Sequence, residues 1–346
     1  MANLSINGKK ITATDGITVL DAARRNDVYI PTLCDDPRLE PHGGCRLCLV
    51  QIKGMPRPVT ACTTPITEGM EVETTNALIE RQRRTIVELL LSDHPNDCMV
   101  CERAGDCTLQ ELAYFYEIRT NRFAGERRTY SKKDANPFIE RDMEKCILCG
   151  KCVRVCEEIQ GFGAIDISRR GFVAKVSTPF EKDLDCEFCG QCVSVCPTGA
   201  LMGKQSLGKG RQKDVKAVET VCPYCGCGCN LTLHVNRNEV LRVTSRRDTI
   251  NEGWLCVKGR FGFSFINSPE RLKTPLIKKD GKFVEASWDE ALGYIAAKLS
   301  AIKSKHGSDA IGGLSSARCT NEENYLFQKF MRAAIGTNNV DHCARL

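Results

Sequence analysis

The sequence predicts an α+β protein made of several small domains in a row. All but three of the 22 cysteines, together with one histidine, fall into five sets within the first 256 residues. Residues 140–200 contain an internal repeat, and strand-like patterns alternate with short helical ones along the chain. A chain of 346 residues would ordinarily form two or three domains, but metal ligands at this density allow smaller ones, because bound metal contributes folding free energy.

The predicted boundaries follow the changes of pattern. They are 1–77, 78–135 and 136–205 for three metal-binding domains, 206–216 for a linker rich in Gly and Lys, 217–272 for a small β-rich module, and 273–346 for an incomplete α/β domain.

The first domain has the pattern of a small sheet with one helix. Residues 3–13 alternate apolar and polar around Gly8, and a helix with Val19 and Leu20 on its apolar side follows Asp15 and Gly16. Strands are predicted at 49–53, 59–62 and 70–73, so the domain resembles the β-grasp ferredoxin fold. Its cysteines are spaced C-x10-C-x2-C-x13-C, unlike the plant-type motif, and four thiolates suit a [2Fe-2S] cluster. This first set is Cys34, Cys45, Cys48 and Cys62.

The second set combines an imidazole with three thiols in the pattern H-x3-C-x2-C-x5-C. It consists of His94, Cys98, Cys101 and Cys107. A helix predicted over 76–92, with Pro95 just beyond it, delivers His94 to the cysteine loop. A single histidine is often an ordinary helix-end residue, but the three cysteines otherwise lack a fourth ligand. We therefore predict a helical domain with a [4Fe-4S] cluster on one histidine and three cysteines, and with the altered potential that a neutral ligand brings.

The third and fourth sets form the internal repeat, at an offset of 40 residues. Each reads C-x2-C-x2-C-x3-C, the bacterial ferredoxin pattern in which the fourth cysteine serves the other cluster. The pattern predicts two [4Fe-4S] clusters and a crossed ligand assignment. One cluster takes Cys146, Cys149, Cys152 and Cys196, and the other takes Cys186, Cys189, Cys192 and Cys156.

The fifth set, C-x2-C-x3-C followed by a more distant cysteine, predicts the last [4Fe-4S] cluster. It comprises Cys222, Cys225, Cys229 and Cys256, which leaves Cys227, Cys319 and Cys343 without a role. A disulfide framework is disfavoured, because such frameworks belong to short secreted chains. Zinc is the stronger rival, since paired C-x2-C units also make tetrahedral zinc sites, but the repeated four-cysteine runs are more specific for iron-sulfur clusters.

Charge and hydropathy argue against two further classes, nucleic-acid-binding proteins and transmembrane proteins. The formal net charge of +6 would fit nucleic acid, but bound cluster charge changes it to roughly −3, which removes the basic character. The basic stretch that contains Arg127, Arg128, Lys132 and Lys133 is then interpreted as a solvated face or docking patch. No apolar run approaches the roughly 20 residues of a transmembrane helix, so we predict a cytoplasmic protein.

The last two segments predict a change of architecture. Residues 231–243 alternate around the fifth set as strands do. After Pro275, a helix is predicted at 288–300, an apolar strand at 310–314 and a second helix at 321–334. A strand, a small polar turn and a helix N-terminus can offer backbone N–H groups to a phosphate, although this signal is weak alone.

These motifs carry a family resemblance. The first 210 positions resemble the N-terminal module shared by the large iron-sulfur subunit of bacterial NADH dehydrogenase, [FeFe]-hydrogenase and NAD-linked formate dehydrogenase. Residues 220–346 resemble molybdopterin oxidoreductases, and the segment SSARCTNEENYLFQKFMRAAIGTNNVDHCARL is similar to the formate dehydrogenase catalytic subunit. The hydrogenase is disfavoured, because C-x2-C-x3-C replaces the active-site cysteines of that family.

The resemblance implies a formate dehydrogenase that oxidises formate to CO2, or the reverse, at a Mo or W bis-molybdopterin guanine dinucleotide. It implies that Lys258 is an electron relay between the fifth cluster and the pterin, and that Asn338, Asn339 and Asp341 lie near the pterin. One [2Fe-2S] and four [4Fe-4S] clusters would then pass electrons to a partner. The implied partners are a flavin subunit that reduces NAD, a ferredoxin or a hydrogenase module.

The family's metal-binding cysteine or selenocysteine would follow directly after Leu346 and is absent from this chain. We interpret this as an in-frame UGA codon for selenocysteine that was taken as a stop, with a deliberately shortened chain as the second explanation. Two alternatives of function stay open. One is a complex I-type large iron-sulfur subunit, and the other is a non-catalytic electron-transfer subunit.

Overall fold

The N-terminal unit is a mixed sheet crossed by one helix. The computed structural model describes residues 1–123, 125–130 and 134–342. The first elements are β1 (Ala2–Ile6), β2 (Lys9–Ala13), α1 (Val19–Arg24), β3 (Leu49–Ile52), β4 (Val59–Thr60) and β5 (Glu71–Glu73). The sheet order is β2-β1-β5-β3-β4, and β1 pairs with β5 in parallel. This is the predicted sheet with one helix, except that the strand expected over 59–62 stops at Thr60, since Ala61–Thr63 form a 3-10 turn.

The sequence explains where α1 lies. Thr18 and Asp21 form a capping box that fixes the first turn of the helix. Its apolar residues then face the sheet, where Val19, Leu20 and Ala22 join the buried residues of β1 and β3 in one core.

Two helices frame the second cysteine set. They are α2 (Ala77–Asp93) and α3 (Thr108–Phe115). The Asn76 side chain accepts hydrogen bonds from the N–H groups of Leu78 and Ile79, which fixes the start of α2 where the sequence predicts it. His94 directly follows the last residue of this helix.

The cysteine repeat folds as two similar halves. Its elements are β6 (Ile139–Arg141), α4 (Lys151–Arg154), β7 (Asp166–Ser168), β8 (Lys175–Ser177), α5 (Gln191–Val195) and β9 (Leu201–Gly203). Strand β6 pairs with β9, and β7 pairs with β8. Gly150 and Gly190 precede the two short helices with φ of 71° and 70°. Only glycine adopts this left-handed conformation without strain, which lets each cysteine loop turn directly into its helix.

The next unit is a three-stranded antiparallel sheet. It contains β10 (Lys216–Val221), β11 (Asn230–Asn236), β12 (Glu239–Thr244) and the short helix α6 (Val257–Phe261). The predicted linker before it is held against the second cysteine set, because the Gly208 N–H donates to Glu102 Oε1 at 2.9 Å.

The last described unit combines a hairpin with helices. It contains β13 (Leu276–Lys279), β14 (Lys282–Glu285), α7 (Trp288–His306), β15 (Gly313–Ser315), α8 (Asn321–Phe330) and β16 (Val340–His342). Helix α7 continues past the predicted residue 300 to His306, where Gly307, with a φ of 85°, ends it. Strand β15 begins three residues later than predicted, after a 3-10 turn at Ser308–Ala310, and pairs in parallel with β16. No helix within the described residues is long and apolar enough to cross a membrane.

Candidate iron-sulfur sites

The structure brings the four cysteines of the first set into one cluster of thiols. The sulfurs of Cys48 and Cys62 are 3.4 Å apart, and the Cys45 N–H donates to Cys34 Sγ at 3.4 Å. Hydrogen bonds from Cys45 and Cys62 hold the pKa of Cys34 well below its usual range. Among the described residues no cysteine forms a disulfide. A hydrogen bond with Cys62 also lowers the pKa of Cys48, whereas the same hydrogen bonds raise the pKa of Cys45 and Cys62. Two of the four thiols therefore ionise readily, and iron binding must release the protons of the other two.

His94 presents a buried ring nitrogen at the second set. Its Nδ1 accepts from the Asn96 N–H at 3.2 Å, whereas Nε2 is buried without a hydrogen-bond partner among the described residues. Burial lowers the pKa of His94, so the imidazole is neutral, as a metal ligand must be. Cys98 and Cys101 lie in the loop between α2 and α3, and Cys107 is the residue before α3. Because Nδ1 accepts, the neutral ring carries its proton on Nε2, and this proton must move to Nδ1 before Nε2 can bind iron. The ligand role of His94 stays a prediction.

Two cavities in the ferredoxin repeat are lined by crossed sets of cysteines. One is lined by Cys146, Cys149, Cys152 and Cys196. The other is lined by Cys156, Cys186, Cys189 and Cys192. These are the two groupings that the repeat predicts, and each contains one cysteine from the opposite half.

Burial controls the ionisation of these thiols. It raises the pKa of Cys149 and of Cys192 to about 12, so both are protonated at neutral pH in the absence of iron. Iron binding at these cavities must therefore release protons, and its free energy must exceed the cost of ionising buried sulfur.

The fifth set is gathered around the start of α6. The Cys222 N–H donates to the Cys229 carbonyl at 2.8 Å, which closes the loop between β10 and β11, and Cys256 is the residue before α6. Cys227, which has no predicted role, forms a hydrogen bond with Cys225. Five thiols therefore share this region, and the choice of Cys222, Cys225, Cys229 and Cys256 as ligands stays a prediction. Cys319 is exposed, and Cys343 lies outside the described residues.

The thiol cavities and the unpartnered His94 nitrogen together fit iron-sulfur clusters. Within the described residues, no group of three or more His, Cys, Asp or Glu side chains has the geometry to hold a single metal ion, so the support comes from the thiol contacts and the cavity linings. The individual ligand assignments stay predictions, which the crossed cavities support.

The residues expected near a pterin have different surroundings. Hydrogen bonds with Cys227 lower the pKa of Cys225, and the charges of Lys258 and Arg318 lower it further. Lys258 is exposed on α6, and Arg318 lies in the turn after β15. The sequence singled out Lys258 but missed Arg318, which is 62 positions from Cys256 and shares no motif with it.

Asn338, Asn339 and Asp341 lie at the surface around β16. Asn338 Oδ1 accepts from Arg332 Nε at 2.9 Å, and Asn339 Nδ2 donates to the Asp309 carbonyl at 3.0 Å. Asp341 Oδ1 accepts from the His342 N–H at 2.8 Å. These contacts shape the loop that enters β16, and the pterin-binding role of the three residues stays a prediction.

Arginines from neighbouring segments donate to the backbone carbonyls of predicted ligand cysteines. Arg154 Nη2 donates to the Cys34 carbonyl at 2.5 Å, and Arg211 Nη1 donates to the Cys98 carbonyl at 3.4 Å. The other pairs are Arg128 with Cys146 at 3.1 Å, Arg103 with Cys196 at 3.4 Å, and Arg260 with Cys189 at 2.9 Å. We call these five residues the arginine clamps. In each pair the arginine and the cysteine belong to different predicted segments.

One clamp corrects the interpretation of the basic stretch as a solvated face. The Arg128 side chain is 12% exposed and forms an ion pair with Asp93, so it is an interior contact. A second hydrogen bond, from Arg128 Nη1 to the Ala174 carbonyl at 3.0 Å, also holds this side chain in the interior. Lys132 and Lys133 lie outside the described residues.

Comparisons with known families match successive parts of the chain. Residues 1–77 match a 2Fe-2S iron-sulfur cluster binding domain, and residues 83–122 match the NADH-ubiquinone oxidoreductase-G iron-sulfur binding region. Residues 136–202 match the ferredoxin-like domain of NADH-quinone oxidoreductase subunit 3. Residues 215–268 match the molybdopterin oxidoreductase Fe4S4 domain, and residues 271–346 match molybdopterin oxidoreductase.

Individual relatives are similar over the same region. The NADPH-Fe(3+) oxidoreductase subunit alpha of Geobacter sulfurreducens is 44% identical over 346 residues, which are 100% of this chain and 40% of the relative. The second G subunit of NADH-quinone oxidoreductase in Rhizobium meliloti is 41% identical over 349 residues, again 100% of this chain and 40% of the relative. The chain thus spans about 40% of the length of these curated relatives.

A solved structure extends the similarity to three dimensions. A chain of NAD+-reducing [NiFe]-hydrogenase in the H2-reduced state is 32% identical, with a TM-score of 0.56 over 60% of this chain and 90% of that chain.

These findings confirm the resemblance to the NADH dehydrogenase module and to molybdopterin oxidoreductases. They do not show the predicted formate dehydrogenase specificity, and they support the complex I-type alternative better. The chain belongs to the family built on the N-terminal iron-sulfur module that the G subunit of NADH-quinone oxidoreductase shares with the NAD+-reducing hydrogenase.

Proposed function

We propose that this chain is the electron-transfer part of a complex I-type oxidoreductase subunit. Its cysteine sets would hold one [2Fe-2S] and four [4Fe-4S] clusters, which when bound supply one-electron carriers. The observation that carries this proposal is the pair of crossed cavities, because each gathers four thiols from two halves of the repeat around one buried space.

The contacts between segments support a continuous relay. Arg154 connects the first set to helix α4 of the ferredoxin repeat. Arg128 and Arg103 connect the second segment to the repeat. Arg260 connects the repeat to the module of the fifth set. Every predicted set is thus connected to a neighbouring one by a side chain that donates to the carbonyl of a predicted ligand, which supports a relay between adjacent sets.

The relatives' names suggest the electron partner. Two of them carry NADPH or NADH in their names. We therefore propose a flavin-containing subunit that reacts with NAD(P)H, with a ferredoxin or hydrogenase module as the other candidates. We also propose the domain boundaries given above and a cytoplasmic location, where reduced thiols persist.

The test is metal analysis and reduction of native protein isolated anaerobically with its bound partners. We expect about 18 iron atoms per chain, matched by acid-labile sulfide. NADH or NADPH should bleach the visible absorbance of the clusters, and removal of the flavin subunit should abolish that bleaching. Colourless protein, or zinc in place of iron, would contradict the proposal.

Formate oxidation at a Mo or W bis-molybdopterin centre is a second candidate. It is favoured by the similarity of residues 315–346 to the formate dehydrogenase catalytic subunit and by the nearness of Arg318, in that segment, to Cys225. The same native preparation tests this candidate. If it is correct, formate should reduce the clusters, and the protein should contain Mo or W, together with selenium if the metal ligand is selenocysteine. If metal-replete protein responds to NAD(P)H but not to formate, this candidate is excluded and the electron-transfer proposal stands.

A further inference from the structure

Arg260 joins the fifth cysteine set to the second half of the ferredoxin repeat. It lies on α6, four residues after Cys256. Its Nε donates to the Cys189 carbonyl at 2.9 Å, and its Nη2 donates to Gln191 Oε1 at 3.0 Å. The residue is only 4% exposed. A guanidinium is therefore buried between two groups of predicted cluster ligands.

The charge of Arg260 has no carboxylate partner. Within the part of the chain that the structure describes, Arg260 forms no ion pair with Asp or Glu, and its hydrogen-bond acceptors are a carbonyl and an amide. An arginine side chain stays protonated in proteins, so this buried guanidinium is a cation. An uncompensated buried cation is strongly unfavourable, and negative charge on the two adjoining groups of predicted ligand cysteines would compensate it.

The surrounding residues are arranged to admit this side chain. A Cβ at Gly190 would lie 2.1 Å from Arg260 Cδ, so only glycine leaves room for it. Gln191 is 1% exposed, and its Nε2 donates to the Leu255 carbonyl at 2.8 Å, which orients its oxygen toward the guanidinium. Next to it, Phe261 stacks on Phe138 with ring centroids 5.1 Å apart.

We propose that Arg260 is a positioning residue that raises the reduction potentials of the two clusters on either side of it. These are the cluster of Cys156, Cys186, Cys189 and Cys192 and the cluster of Cys222, Cys225, Cys229 and Cys256. The inference rests on the proposed electron-transfer function. Reduction adds one electron to a cluster without forming or breaking a bond, and the electron comes from the adjacent cluster. The added negative charge is stabilised by a fixed cation, the more so in a poorly screened interior.

The test compares a neutral with a charged replacement. Arg260→Gln removes the charge, Arg260→Lys retains it, and Arg237→Gln changes an exposed arginine as a matched control. Each variant of the full protein is titrated anaerobically with dithionite while the clusters are followed by EPR. In Arg260→Gln we expect at least a tenfold loss in the equilibrium constant for reducing each flanking cluster, which is about 59 mV for one electron. Arg260→Lys should recover most of this loss, and Arg237→Gln should show none.

A second variant separates charge from folding. Gln191→Glu places a carboxylate against the guanidinium and gives up the Nε2 hydrogen bond to the Leu255 carbonyl. In protein with its full iron content, it should lower the same two potentials. If either neutralising variant keeps its full iron content and leaves both potentials unchanged, the proposal is overturned. If neither variant assembles the clusters, Arg260 is a folding residue and the proposal is overturned as well.

The titration uses dithionite and needs no biological partner. If the wild-type clusters titrate but NAD(P)H cannot reduce them, the proposed function fails while the inference about Arg260 stands.

Discussion

Arg83 offers a sharp test of how the first cysteine set is held. This side chain from α2 is buried, and it donates to the carbonyls of Leu47 at 3.1 Å and Leu49 at 2.6 Å. Those two residues flank Cys48. We expect Arg83→Met, which keeps the length of the side chain but removes its donors, to destabilise the N-terminal unit and to loosen the predicted [2Fe-2S] site.

The magnitude follows from the two hydrogen bonds. Each bond from a charged donor contributes roughly 1.5–3 kcal/mol, and a buried carbonyl left unpaired costs about 1–3 kcal/mol. Methionine recovers part of this loss, since a buried arginine also carries a desolvation cost. The expected net loss is about 3–5 kcal/mol in the free energy of unfolding. The ion pair with Glu80, at 3.2 Å and partly exposed, adds at most about 1 kcal/mol.

The assay is guanidinium unfolding of the anaerobic holoprotein, followed by the visible circular dichroism of the [2Fe-2S] cluster. Arg83→Met should lose this signal at a clearly lower midpoint. The control Glu80→Gln removes the ion pair but keeps both carbonyl bonds, so its midpoint should move little. An Arg83→Met protein that retains the wild-type midpoint and cluster spectrum would refute the reasoning.

Three further predictions concern the other sites. Cys196→Ala should lower the iron content from about 18 to about 14 atoms, and its EPR spectrum should match that of Cys146→Ala and differ from that of Cys186→Ala; the opposite match would contradict the crossed cavities. His94→Ala should lose one cluster, whereas His94→Cys should keep it at a more negative potential, because a thiolate adds negative charge; an unchanged iron content in His94→Ala would exclude ligation. Burial raises the pKa of Asp134, but hydrogen bonds from Asn136 and Arg141 outweigh it and lower the pKa to about 2. A depressed pKa gives stability that is complete above the unfolded value and is lost as the pH falls toward 2, so Asp134→Asn should cost about 2 kcal/mol at every pH from about 5 to 8. The check is the difference in the free energy of unfolding between the wild type and Asp134→Asn, measured with denaturant. If this difference shrinks within that pH range, another group is responsible.

Local patterns in the sequence predict most of the architecture. The four-cysteine runs predict the crossed sets because the ferredoxin spacing is a local constraint, and Asn76 and Pro95 bracket α2 because capping and helix termination are local as well. The predicted end of α7 falls six residues short, since the polar last turn, with Lys303 and Lys305, breaks the apolar pattern while still forming helix.

The arginine clamps could not be predicted in the same way. Arg154 and Cys34 are 120 positions apart, and Arg211 and Cys98 are 113 apart. No periodicity or spacing connects such pairs, because they arise only when separate units pack together. For the same reason the interpretation of Arg128 as a solvated residue is wrong, since a cluster of basic residues in sequence does not reveal which of them meets a buried carbonyl.

The small size of the domains explains why arginines form the contacts between them. A unit of 60 to 80 residues buries too little apolar surface to fix its neighbours firmly. A guanidinium that donates to a backbone carbonyl gives a directional, charge-assisted contact instead. Burying that charge is unfavourable unless a negative group lies near, and the predicted ligand cysteines supply one. The same residue type can therefore hold two domains together and stabilise added electrons.

The fifth set tests this argument by contrast. Among the described residues, its cysteine carbonyls receive no arginine clamp. Instead, Lys258 and Arg318 lie near the Cys225 thiol, where each lowers the pKa of that group. Lys258 is exposed on α6, Arg318 lies in the segment that matches molybdopterin oxidoreductase, and in the described part of the chain neither donates to a ligand carbonyl. At this set the two cations therefore act on the Cys225 sulfur and not on a ligand carbonyl.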